Sequence, residues 1–167
     1  MPRAVRVPAT RPEGNEWLNE PLVWAIDEWH QPLYLFPREC PRILLWPGNQ
    51  TSNADLQQYF GTSEARMIAY VEARWEARLA TATLHRYELT SETFESLHDA
   101  GMWVSKSAVR AVAKVEIEDP VAELQANDVE LRVLPLLTPL RDVWNSTLHA
   151  SGIRLRNARD WDVNPGC

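Results

Sequence analysis

The side chains best equipped for chemistry fall within VWAIDEWHQPLYLFPRECPR, residues 23–42. His30 is suited to donate a hydrogen bond or to act as an acid or base near neutral pH, and Asp27 ends the strand just before it. Trp24 and Tyr34 could wall a cleft and stack a planar ring. Arg38 and Arg42 flank Glu39 and Cys40 in a proline-braced PRECPR turn, where two guanidiniums could grip phosphate or carboxylate. Two strand glutamates, Glu88 and Glu130, complete the catalytic candidates with His30. Each has a structural alternative: aromatics as core, His30 and Asp27 as turn or cap groups, arginines and glutamates as internal ion pairs. Cys40 reads as a small buried apolar residue. His98–Asp99 and the Arg154, Arg156 and Arg159 cluster around Asn157 carry weaker signals of the same kinds.

These residues need elements to hold them. LVWAI is a continuous apolar run of strand length, expected to be buried on both faces. DEWHQPLYLF predicts a short helix, with Asp27 or His30 as cap and Pro32 in its first turn. RILLW predicts a second buried strand, followed by the turn PGNQTSN. A helix opened by Ser52 or Asn53 should run to Phe60, with Gly61 just past its end. Met67, Ile68, Val71, Trp75 and Leu79 recur at helical spacing and predict a second helix. TLHRYEL, AVRAVAKVEIE and VELRVLP alternate as one-sided strands, SETFESLHDAG and PVAELQAND read as short helices, and Thr138–His149 as a helix before Gly152. IRLRNARDW would be a last strand or an extended tail. This interleaving, without a strict βαβ rhythm, predicts an α+β fold with a mixed or mainly antiparallel sheet flanked by helices.

Composition bounds the function. At 167 residues, 45% hydrophobic and 24% charged, the chain has the makings of a folded domain. Pro2, Pro8, Pro12 and Gly14 predict an extended arm over residues 1–16, with one α+β domain over 17–167. A net charge of −6 argues against general nucleic-acid binding. No apolar run reaches membrane-spanning length and no signal core follows the first residues, so the expected setting is the cytoplasm. Cys40 and Cys167 suggest neither a disulfide framework nor a metal site.

VWAIDEWHQPLYLFPRECPRI, HDAGMWVS, VELRVLP and SGIRLRNARDW together resemble a bacterial family of small proteins known as a domain of unknown function. More distantly, an aromatic-bearing strand, a short helix and later strand glutamates resemble the ADP-ribosyltransferase-like fold. That resemblance implies NAD as a ligand, with Trp24 at the aromatic strand position and Glu130 or Glu88 as the late acid. The fold's early histidine-bearing strand has no counterpart in MPRAVRVP. Two functions follow: a nucleotide-binding, NAD-type protein, active or inactive, using Trp24, Asp27, Tyr34, Arg38 and Arg42, or a non-catalytic binding module for an unknown protein partner. Neither requires a cofactor, though NAD is a possible one.

Overall fold

The computed structural model describes residues 20–162, and the expected arm over 1–16 and Cys167 lie outside the described residues. The strands are β1 (Val23–Ile26), β2 (Arg42–Trp46), β3 (Met67–Glu72), β4 (Leu84–Glu88), β5 (Glu95–Ser96), β6 (Met102–Ser105), β7 (Ala113–Ile117), β8 (Val129–Leu134) and β9 (His149–Ile153). The helices are α1 (Asn53–Tyr59), α2 (Glu76–Ala80) and α3 (Pro120–Ala126), with 3-10 turns between them. This is an α+β fold. The chain forms two compact units, one from the residues up to Gln31 with His85–Val115, the other from Pro32–Leu84 with the residues from Glu116 on.

The larger unit is built on the sheet β8-β3-β2-β9, antiparallel except for the parallel pair β3–β8. Both faces of its central strands are covered, so every residue of β2 and β3 is buried and the sequence there runs apolar without alternation. Ile43, Leu45, Ile68 and Tyr70 share one face and pack with Phe60, Leu137, Leu140 and Val143. Leu44, Ala69 and Val71 take the other face by register. Helix α1 is capped as its sequence requires: Ser52 Oγ accepts the Asp55 amide at 3.2 Å, and Gly61 adopts φ +61 past the end. Asp119 caps α3 by accepting the amides of Val121 and Ala122, with Pro120 in the first turn.

The smaller unit holds the antiparallel sheet β1-β6-β5. Its described core is Leu22 and Val104, with Trp24 and Leu97 packed against them. β4 and β7 form a separate two-stranded ladder.

Several expectations are corrected. The helix predicted over Met67–Leu79 is instead β3, a 3-10 turn at Ala73–Trp75 and the five-residue α2. Ala69 and Tyr70 fill the gaps in the apparent helical stripe, and an unbroken apolar run between two partner strands satisfies its backbone as sheet. SETFESLHDAG is β5 and a turn with left-handed residues, not a helix. β1 is half-buried at the edge of its sheet rather than covered on both faces. The short helix after Asp27 is a 3-10 turn at Gln31–Tyr34. Thr138–Asn145 is likewise 3-10, and Gly152 lies within β9, which ends at Ile153 instead of beginning there.

Candidate functional site

The strand β1 ends at Ile26, and Asp27 continues its ladder by donating its amide to the Gly101 carbonyl at 2.9 Å. The chain then turns, and the Asp27 carboxylate closes the turn by accepting the His30 amide at Oδ1, 2.8 Å away. The same Oδ1 stands 2.8 Å from His30 Nδ1, and Oδ2 stands at 3.1 Å. A carboxylate only accepts, so the Nδ1 proton points at Asp27 and the neutral imidazole carries its lone pair on Nε2. Trp29, 42% exposed, meets the imidazole edge-on with ring centroids 4.6 Å apart. From β4, Arg86 donates to Gln31 Oε1 at 3.0 Å and pairs with Glu88 at 3.7 Å. Two side-chain groups thus lie on adjoining residues of the turn: Asp27, Trp29 and His30, and Gln31 with Arg86 and Glu88. Trp24, on β1, packs against the small core there.

The remaining candidates belong to the larger unit. Arg42 is 3% exposed, donates through Nε to the Leu33 carbonyl at 2.8 Å and through Nη1 to the Cys40 carbonyl at 3.0 Å, and its guanidinium lies 5.7 and 5.2 Å from the Tyr34 and Phe36 ring centroids. Burial lowers its pKa to about 10. Arg38 is 79% exposed beside Glu39, so the two arginines do not form the joint clamp that PRECPR suggested. One fastens a loop from within; the other stands in water. That loop is also held by Asn157, whose side-chain amide donates to the Glu39 carbonyl and carboxylate. Burial raises the Cys40 thiol to about 11, unsuited to nucleophilic work. Glu130 accepts from Arg132 Nε at 2.6 Å, and this bond, followed by one from Ser63, holds its carboxyl below the usual range. Arg132 in turn donates to the Tyr59 and Phe60 carbonyls, so Glu130 is the outer member of a scaffold network. Ser63 also lines a groove of about 450 Å³ with Leu56, Gln57 and Phe60.

A family model described as a family of unknown function, DUF6886, matches residues 3–158, nearly the whole chain. The chain belongs to this family. No curated protein and no solved structure matches it. Among the described residues of this DUF6886 chain no group of three His, Cys, Asp or Glu side chains could hold a metal, and no helix is long and apolar enough to cross a membrane.

Sequence reasoning singled out Asp27 and His30 but gave Gln31 and Arg86 no part in a site. The Arg86–Glu88 spacing was visible as an i, i+2 strand pair; its meeting with Gln31 joins residues 55 apart and leaves no local signal. In chemical terms the DUF6886 turn offers an oriented imidazole, an exposed indole and a guanidinium hydrogen-bonded to the residue beside that imidazole. Glu72 was also missed. Its side chain is fully buried, accepting from Arg74 Nε at 2.7 Å and from the Arg159 amide at 2.8 Å, and so it fastens the end of β3 to the C-terminal segment.

Proposed function

We propose that this protein binds a small nucleotide-like ligand, of the NAD or ADP-ribose kind, at the Asp27–His30 turn of its smaller unit. The observation that carries the reading is the Asp27–His30 hydrogen bond, which fixes the orientation and tautomer of a partly exposed imidazole next to an exposed indole. Such a ring gives stacking, such an imidazole a directed hydrogen bond or proton acceptor, and Arg86 a partner for phosphate. Of the strand glutamates, Glu88 is the one this reading uses, through its pairing with Arg86. Trp24 belongs to the small core with Leu22 and Val104, and Tyr34, Arg38, Arg42 and Glu130 have no assigned part in this reading. The acidic net charge fits a small ligand better than nucleic acid, and a cytoplasmic bacterial setting accords with it.

Titration of the labelled protein with NAD, ADP-ribose and ADP, followed by amide NMR, tests this. Shifts should concentrate at residues 27–31, 86–88 and 101, and His30→Ala should abolish them. Silence across millimolar concentrations of all three ligands sinks the reading. A second reading, a non-catalytic protein-interaction module, is favoured by Trp29, Tyr87 and Val112, all exposed in the same unit.

A further inference from the structure

Gly101 lies in the turn between β5 and β6, at φ +72, following Ala100 at φ +42 and with His98 at φ +53. Its carbonyl accepts the Asp27 amide, which places its Cα beside the Asp27–His30 pair. A Cβ added there would stand 2.6 Å from Asp27 Oδ2 and 2.6 Å from His30 Cγ, and closer still to Nδ1. Those atoms are the two sides of the hydrogen bond that orients the imidazole. The left-handed backbone alone does not explain the glycine, because Ala100 holds a positive φ one residue earlier with its methyl in place.

We propose that Gly101 is a positioning residue for His30: the space left by its missing side chain is where the carboxylate and Nδ1 meet. This rests on the reading of the Asp27–His30 turn as the ligand site. Any L side chain at 101 would drive the imidazole off the carboxylate, because the neighbouring backbone is tied down by the Asp27–Gly101 hydrogen bond and cannot retreat without breaking the end of the β1–β6 ladder. The ring would then lose the carboxylate that selects the Nδ1–H tautomer, and with it the fixed direction of the lone pair on Nε2.

The test is long-range proton–nitrogen NMR of the His30 ring in the full chain, above the pH at which imidazole is protonated and without ligand. The wild-type protein should show one Nδ1–H tautomer. Gly101→Ala should show averaged ring-nitrogen shifts. D-alanine introduced at 101 by semisynthesis favours φ above zero and directs its methyl to the other side of the backbone, so it should keep the wild-type pattern. A folded Gly101→Ala protein that retains the Nδ1–H pattern overturns the proposal, as does loss of the pattern with D-alanine. Should Gly101→Ala fail to fold, the D-alanine protein decides alone. Because the readout needs no ligand, a protein that shows the tautomer switch yet ignores NAD, ADP-ribose and ADP refutes the ligand reading and leaves the positioning role standing.

Discussion

The two sheets solve the same problem with unequal resources. In the larger unit β2 and β3 are buried along their whole length, flanked by partner strands on both sides and packed on a continuous apolar cluster that runs from Ile43 to Val143. In the smaller unit the three-stranded sheet rests on Leu22 and Val104, and apart from Ser105 its other side chains are half-buried or exposed. Apolar burial stabilises by roughly 25 cal/mol per Å², so stability should concentrate in the first region. Polar groups follow the same division. Arg42 and Glu72 are buried and committed to carbonyls, amides and ion pairs of the scaffold, whereas the Asp27–His30 and Gln31–Arg86 pairs are only partly buried. A sheet with satisfied buried charge is a frame; a thin sheet with partly exposed polar groups is the one able to open locally.

This contrast can be broken most directly with one substitution made in each sheet. Val71→Ala in β3 should cost about 3 kcal/mol, and Val104→Ala in β6 about half as much, since a sparsely packed site collapses around the cavity more readily. Equal losses in urea denaturation would erase the distinction. Amide exchange sharpens it: the amides of β2 and β3 should exchange at least about 100-fold more slowly than those of β1 and β5, which can open without global unfolding. Glu72→Gln keeps the volume but removes the charge from two hydrogen bonds, and should lower stability by about 2 kcal/mol. Asp27→Asn, by contrast, should change stability by well under that while altering the His30 tautomer.

Cys40 gives a modest effect with a defined pH window. Its pKa is raised from 9.0 to about 11 by burial, so the folded state keeps the proton longer than the unfolded state. The unfolded chain loses protons first, above pH 9. The stabilisation is therefore complete below pH 9 and is lost as pH rises through 11, on the order of 1 to 2 kcal/mol. Urea midpoints compared between pH 8 and pH 10.5 measure it, and Cys40→Ala should flatten that slope. Native protein at pH 8 should also resist alkylation until denaturant is added.

Elements bounded by strong local chemistry were legible. Ser52 and Gly61 framed α1, Asp119 and Pro120 opened α3, and RILLW declared a buried strand. Alternation located β7 and β8. Met67–Leu79 misled because a fully buried strand followed by a turn of helix can imitate a helical stripe, and local spacing does not reveal which partners stand on either side. Asp27 and His30 were each legible as a candidate cap, but their bond to each other emerges only from the turn the chain makes after β1. The PRECPR arginines were legible as residues but not as partners, since Arg38 and Arg42 take opposite exposures only once the loop is folded.

By itself the sequence determined the α+β class, the caps, most of the strands and an acidic surface, because these depend on side-chain type and on neighbours within a few residues. Only the tertiary structure decided that Arg42 and Glu72 are buried, that Arg86 reaches Gln31, and that Gly101 makes room for the Asp27–His30 pair. Burial and pairing of those groups are set by chain segments tens of residues away, and no local pattern records which distant backbone will arrive beside them.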